Sequence, residues 1–415
     1  MLAPEQIADI NERADCADLA RQFGATLRRS GRKWIGSCPL CGGGAKATRF
    51  EADRAGWVCA ACSSGGDAIA LVRAAKGCDF RAAVEALGGP RVLSEAERDR
   101  LARERAAREE KAARAQAEYR AAEIERCRAI WRTAAVGDLS EVAAYIAGRG
   151  IDMPQPFFGR SAAVMPYFHG ETIDEAGRRS PRVVHRGPAM LAALVSPAGA
   201  FCGLHITWID PARPGKKAAI FDPETGDPLP AKKMRGSALG SHIRLSKCER
   251  PVRVFLGEGI ETVLSARMFL RRAGRLRETD AFWAAGSLGN LGGPHAGTIA
   301  HPSLTTATGR PQRAPSATPA FDKPSIPLPD SVEEVVLLGD GDSDPFTTRL
   351  ALERAVARYS APPASDRAQS GASGKDSASG QDSASGKDSS KKIHARFLFA
   401  VAGEDFNDML RRAWA

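Results

Sequence analysis

Two acidic turns carry the densest chemistry in this sequence. Val252-Arg-Val-Phe-Leu-Gly-Glu258-Gly259 sets a carboxylate on a glycine turn directly after an apolar run, and Val335-Val-Leu-Leu-Gly-Asp340-Gly341-Asp342-Ser-Asp344 repeats the pattern. In open α/β sheets, ligand and metal sites lie outside the carboxyl ends of the strands. If the two strands are neighbours, Glu258, Asp340 and Asp342 converge at one edge with Asp344 beside them. Hard carboxylate oxygens suit Mg2+ or Mn2+, and Mg2+ keeps waters and binds substrate phosphate as well. A centre of this kind stabilises both oxygens of an in-line phosphoryl displacement. Asp340-x-Asp342-x-Asp344 also begins like a calcium loop, but Pro345 stands at the required glycine and Ala351 at the bidentate glutamate, so an EF-hand fails. Taken singly, either motif is equally a solvated acidic turn.

The second constellation is built from sulfur. Cys38-x2-Cys41 and Cys59-x2-Cys62 are separated by seventeen residues, a spacing that brings four thiolates around one structural zinc ion. Gly42-Gly43-Gly44 and Gly65-Gly66 permit the turns this needs. Cys16, Cys78, Cys127, Cys202 and Cys248 are isolated and read as small buried hydrophobes.

These groups need scaffolds, and the chain divides by composition into a multidomain α/β protein. Residues 1–90 hold the paired cysteines in a zinc ribbon-like module. Residues 91–128 form a charged helical linker of alanine, arginine and glutamate, which Ser94-x-x-Glu97 is placed to cap. Residues 129–249 read as a mixed α/β unit of short strands, rich in glycine and proline. Residues 250–415 alternate strands (Val252–Leu256, Ala281–Ala285, Val335–Leu338, Arg396–Val401) with helices starting near Glu261 and Pro345, the pattern of a parallel sheet with crossovers. Two insertions interrupt that last unit, near 301–330 and 361–392. The first reads as a loop excursion; the second contains SGKDSA, SGQDSA, SGKDSS, a tract without the apolar content to offset the entropy of ordering.

Charge narrows the partners. The chain of 415 residues carries a formal net charge of +10, which favours a polyanion and nucleic acid first. Lys216, Lys217, Lys232, Lys233 and Arg235 form two basic clusters beside glycines, suited to template or triphosphate phosphates; an ordinary basic loop is the plain alternative. Arg28, Arg29, Arg32 and Lys33 sit ahead of the first cysteine pair and offer phosphate contacts, while Trp34 and Trp57 suit either base stacking or a small core. His205 and His242 are isolated and read as structural. There is no membrane-length apolar run, and MLAPEQIADINERAD lacks an apolar signal core, so a cytoplasmic protein with reduced thiols is expected.

The flanks of the cysteines (RRSGRKWIGSCPLC, TRFEADRAGWVCAAC, SSGGDAIALV) resemble the zinc-binding domain of bacterial and phage primases over about residues 5–90. In that family the first pair is often Cys-x-x-His, so Cys41 makes this a four-cysteine variant, and the resemblance implies that the module engages single-stranded template. Glu258 with Asp340-x-Asp342 resembles the Toprim domain, whose Rossmann-like parallel sheet is shared by replicative primases, topoisomerases and some nucleases. The resemblance extends to Glu404-Asp405-Phe406-Asn407-Asp408, where the family tends to have Lys-Asp-x-Asn-Asp, and adds Asp405, Asn407 and Asp408 to the candidate site. The form EGIETVLSA is similar to primases of phages and integrative elements; the cellular enzyme more often has Asp at the position of Thr262. Residues 202–245 resemble the segment preceding Toprim in mobile-element primases.

What these resemblances imply is a DNA primase. It would make short RNA primers on single-stranded DNA from nucleoside triphosphates, with Mg2+ or Mn2+ at Glu258, Asp340 and Asp342. Glu258 would serve either as metal ligand or as the acid/base proposed for it in related enzymes. No G-x-x-x-x-G-K-[ST] occurs, so unwinding falls to a separate helicase. The rivals are a Toprim nuclease using the same acids and a zinc-dependent DNA-binding adaptor with an inactive Toprim domain. A topoisomerase would require a nucleophilic tyrosine on a further large domain.

Overall fold

The protein was analysed as a computed structural model, which describes residues 2–30, 33–40, 50–59, 64–91, 94–134, 139–175, 177–305, 311–361 and 393–413. Cys41, Cys62, Arg32 and the repeat tract lie outside the described residues. The chain forms two compact units, residues 1–117 with 300–313, and residues 118–299 with 314–415. Among the described residues no helix is long and apolar enough to cross a membrane.

In the first unit, α1 (Pro4–Arg13) and α2 (Cys16–Gln22) precede an antiparallel meander of β1 (Leu27–Ser30), β2 (Lys33–Gly36), β3 (Phe50–Ala52), β4 (Trp57–Cys59) and β5 (Ser64–Gly66). Helices α3 (Ala68–Lys76) and α4 (Phe80–Ala86) follow. The strands are only three to four residues long, too short for stability without a helix or a staple against them. The core supplies the helix: Phe50, Trp57 and Leu71 are buried together with Cys16, Cys38 and Cys59. Asp67 fastens the parts, since its carboxylate accepts from Ala70 N at 2.8 Å and Asn11 Nδ2 at 2.9 Å, and its carbonyl accepts from Trp57 Nε1 at 3.1 Å. That explains the Gly65-Gly66-Asp67 signature in structural terms.

Helix α5 (Glu95–Thr133) begins at the expected capping box: Ser94 N donates to Glu97 Oε2 at 2.9 Å and Glu97 N to Ser94 Oγ at 3.3 Å. Its part within the second unit, from Glu118 onward, acquires an apolar face, and Cys127, Ile130 and Trp131 pack on the first sheet of that unit.

The second unit continues with α6 (Ser140–Ala147), β6 (Gly159–Ile173), β7 (Arg179–Val195), β8 (Phe201–Trp208), β9 (Ile220–Phe221), β10 (Pro228–Leu229) and β11 (Lys232–Gly236). The order β11-β8-β7-β6 is antiparallel throughout. Here the strands run longer than the sequence suggests. β6 and β7 are 15 and 17 residues, and they absorb their prolines and glycines in register shifts between Ala162 and Met165 and again near Phe168. An irregular edge ladder tolerates proline in this way, so Pro166 and Pro181 do not end the strands.

The second sheet is formed by β12 (Ile243–Arg244), β13 (Arg253–Gly257), β14 (Asp280–Ala284), β17 (Glu334–Gly339) and β18 (His394–Phe399), in the order β12-β14-β13-β17-β18. All neighbours are parallel except β12. Helices α7 (Ile260–Arg272), α8 (Leu288–Gly292), α9 (Pro345–Tyr359) and α10 (Phe406–Ala413) complete it. Strands β13, β14 and β17 are apolar on both faces, as a sheet covered on both sides requires: Phe255, Val336 and Leu338 join one core, Val254, Leu256 and Leu337 the other. The segment expected as a loop excursion instead contains β15 (Thr298–Thr305) and β16 (Pro311–Pro315), which pair with each other.

Candidate functional site

The parallel register decides what meets. Gly257 lies opposite Leu338, so β13 and β17 deliver Glu258 and Asp340 side by side at their carboxyl ends. β18 extends the sheet on the far side of β17 and leads into the loop that carries Asp405. Gly341 is the joint. A side chain there would stand 2.2 Å from the Val401 carbonyl oxygen, and its amide donates to Glu404 O at 2.9 Å while Gly403 N donates to Gly341 O at 2.8 Å. Only glycine lets the Asp340-x-Asp342 turn and the Asp405 loop lie this close.

Asp340, Glu258 and Asp405 carry the mark of their neighbours. Burial pushes the Asp340 carboxyl up to about 7; Thr262 works against this through its hydroxyl, and Asp405, Asp342 and Glu258 add to it by repulsion. Glu258 is also raised, by burial first, with Lys232 and the Leu288 amide opposing and Asp342 reinforcing. Asp405 is raised by burial, then by Asp408 and Asp342. Mutual repulsion among half-buried carboxylates is relieved by a cation, and an all-oxygen donor set is the chemistry that Mg2+ and Mn2+ prefer. Among the described residues, however, no three of these side chains are spaced to hold a metal ion as they stand, so the acids are electrostatic neighbours and not an assembled ligand set.

Asp344 and the C-terminal motif are used differently from one another. Asp344 caps α9, its Oδ2 accepting from Thr347 N at 2.7 Å. Asp405 caps α10 by accepting from Asp408 N at 2.7 Å while remaining part of the acidic group, and Asp408 is exposed. Asn407 is buried and serves the scaffold: its Nδ2 donates to Arg149 O at 2.8 Å and Ser265 Oγ at 3.1 Å.

Two further groups meet the acids. Thr262 Oγ1 donates to Asp340 at 2.9 and 3.1 Å. The glycine-rich turn after β14 is stapled to the first motif, with Ala285 N on Gly257 O at 2.8 Å and Gly286 N on Glu258 O at 2.9 Å, and it directs the Leu288 amide at the Glu258 carboxylate. Asn290 fixes that turn through bonds to Ser241 O, Ala285 O and Gly240 N.

Strand alternation splits the basic clusters. Lys232 and Met234 point to one side of β11, Lys233 and Arg235 to the other. Lys232 is exposed and close enough to Glu258 and Glu261 to lower both carboxyls. Lys233 lies 3.8 Å from the Tyr167 ring centre, and Arg235 pairs with Glu123 at 2.7 Å on the outer face of the sheet. Lys216 is exposed, whereas Lys217 turns inward to pair with Glu261 at 3.2 Å. Glu261 also accepts from the Tyr145 hydroxyl. Burial alone would raise this carboxyl, but Lys217, Lys232 and Arg149 together hold it well below the carboxylate range. His205 is pulled down to about 4 and His242 to about 3, both by burial, which suits neutral core histidines.

In the first unit, Cys38 and Cys59 are buried, and Leu40 N donates to Cys38 Sγ at 3.4 Å, an arrangement that stabilises a thiolate. Cys59 lies at the end of β4 opposite Phe50 and Ser64. These two sulfurs fit a zinc ligand set. Lys33 pairs with Glu51 at 2.7 Å. Trp57 is a core residue stacked on Phe50, and Trp34 is overlaid by Arg21 at 4.0 Å, so neither presents a free face to a base.

Residues 2–99 match the family model described as CHC2 zinc finger, the zinc ribbon of DnaG-type primases, and this match carries zinc binding with it. Residues 121–245 match a model described as a domain of unknown function, DUF7146. No curated protein matches the chain. Among solved structures, the chain is similar to the Aquifex aeolicus primase (zinc-binding and RNA polymerase domains) over 99% of this chain and 83% of that one, at 13% identity and a TM-score of 0.31. It is similar to a DNA primase domain from Pseudomonas aeruginosa over 66% of this chain and 68% of that one, at 13% identity and a TM-score of 0.31.

Proposed function

We propose that this protein is a DNA primase of the phage or mobile-element type, with a Toprim catalytic domain, that synthesises short RNA primers on single-stranded DNA and works beside a separate helicase. The observation that carries this reading is that Glu258 and Asp340 follow adjacent parallel strands, with Asp342 and Asp405 near enough to raise the Asp340 carboxyl, on a chain whose residues 2–99 match a DnaG-type zinc ribbon. Those four carboxylates would hold the divalent cation, with Asp344 left to its helix. When bound, the cation supplies charge stabilisation to the transferring phosphoryl group.

The chain's own residues account for the rest. Lys232, exposed beside Glu258, is the fixed cation placed to receive triphosphate oxygens. Glu258 has a raised pKa and one oxygen engaged by the Leu288 amide, which suits it to accept the proton of a primer 3′-hydroxyl as readily as to ligate. Lys233 and Arg235, on the opposite face, are assigned no part in this step.

The same acids would serve strand cleavage, so the test must separate the two. End-labelled single-stranded DNA is incubated with the full chain, all ribonucleotides and Mn2+. Ribonucleotide products that require the template support a primase; shortening of the labelled strand without them replaces it with a nuclease.

A further inference from the structure

The parallel sheet carries a recess between the end of α7 and β18. On the face that α7 covers, the register sets Phe255 of β13 level with Arg396 of β18 across Val336, with Arg253 two residues before Phe255 and Leu398 two residues after Arg396. α7 stops short of this corner. The chain turns through Gly274, at φ 64°, and the amides of Arg275 and Leu276 both return to Leu270 O at 2.8 and 3.2 Å. The folded-back turn leaves a recess of about 690 Å3 with an apolar floor of Phe255, Leu270, Leu276 and Leu398. Leu398, on the edge strand, is 41% exposed.

Four arginines ring this floor: Arg253, Arg275, Arg277 and Arg396. Two are committed. Arg253 grips the buried Asp280 through Nε at 2.9 Å and Nη2 at 2.8 Å, and Arg396 pairs with Glu334 at 2.9 Å. Arg275 and Arg277 are exposed and, among the described residues, have no carboxylate partner. The recess therefore keeps an uncompensated surplus of two guanidinium groups above an aliphatic surface. Guanidinium forks recognise carboxylates in pairs, and an apolar floor rewards one buried side chain.

We infer that this recess is a docking site for an acidic peptide segment of a partner protein, held by Arg275 and Arg277 with one apolar side chain on Leu398 and Leu276. Nucleic acid fits less well. The Phe255 ring is stacked on Phe282, 5.1 Å between centres, and the floor offers no aromatic face to a base. Along β13, Arg253 lies roughly 16 Å before Glu258 at about 3.3 Å per residue, whereas Leu398 is level with Gly257 two strands away. The inference is independent of the reaction proposed above.

The test is fluorescence anisotropy with the full chain and a fluorescein-labelled octapeptide of alternating Asp and Gly with one central Leu. Saturable binding is expected. It should weaken by at least about tenfold in Arg275→Glu/Arg277→Glu, weaken comparably when the peptide's Leu is replaced by Ala, and fade with salt. Both substituted residues are exposed, and an unchanged melting temperature shows that the fold is kept. Absence of binding to the unaltered chain, or binding that the double variant leaves intact, overturns the inference. Displacement of the peptide by oligothymidine that itself loses affinity in the variant also overturns it, in favour of a nucleic-acid surface.

Discussion

The hydroxyl of Thr262 donates to Asp340, at 2.9 Å to one carboxylate oxygen and 3.1 Å to the other. A neutral donor thus orients a buried carboxylate where a further charge would repel it. Thr262→Val should remove that orientation and lower metal-dependent activity by about tenfold, near the ~1.5–3 kcal/mol of a hydrogen bond to a charged group. Thr262→Ser should restore it. The measurement is the Mn2+ concentration for half-maximal activity; equal values for the Val and Ser variants would remove Thr262 from the account.

Acidity links the site to stability. The Asp340 carboxyl is raised to about 7 from 3.8, so between these values the native state holds a proton that the unfolded state has released, and this group's contribution to stability falls as pH rises. A divalent cation takes the place of that proton. Melting temperature should therefore gain more from Mg2+ near about pH 8 than near about pH 5.5, and Asp340→Asn should abolish the difference. A gain independent of pH would place the cation elsewhere.

Behind the acids, Glu261 joins Lys217 and Tyr145 in a buried group. Glu261→Gln strands the Lys217 ammonium and should cost about 3–5 kcal/mol, whereas Tyr145→Phe loses one charge-assisted hydrogen bond, about 1.5–3 kcal/mol. Urea unfolding measures both. Similar small losses in the two variants would show that the network adds little.

The zinc module should fail separately. Chelation, or Cys59→Ala, should release about one zinc per chain and expose residues 1–90 to proteolysis, because three-to-four-residue strands with so small a core need the metal. The parallel sheet should keep its own melting transition. A first unit that resists protease without zinc would make the metal dispensable for folding.

Much of this site was readable from sequence because its motifs are local. An apolar run ending in Gly and an acid announces a covered strand and what its end presents, and β13 and β17 lie within a residue of their expected bounds. What sequence did not give was adjacency. That β13 and β17 are neighbours, that β18 brings Asp405 beside them, and that Gly341 permits the approach all depend on register. The side of β11 on which each lysine falls was equally hidden, since alternation counts only once the pairing with β8 is fixed. Composition also understated β6 and β7, whose prolines sit at irregular points of the ladder and do not end the strands.

Primer synthesis by the full chain and by Asp342→Ala, compared side by side, tests the central claim most directly. Single-stranded DNA, labelled ribonucleotides and Mn2+ should yield short, template-dependent RNA with the unaltered chain and none with the variant, while zinc content and melting in the absence of added metal stay the same. Primers made equally well by Asp342→Ala would contradict the assignment of the acidic centre, whatever the zinc module binds.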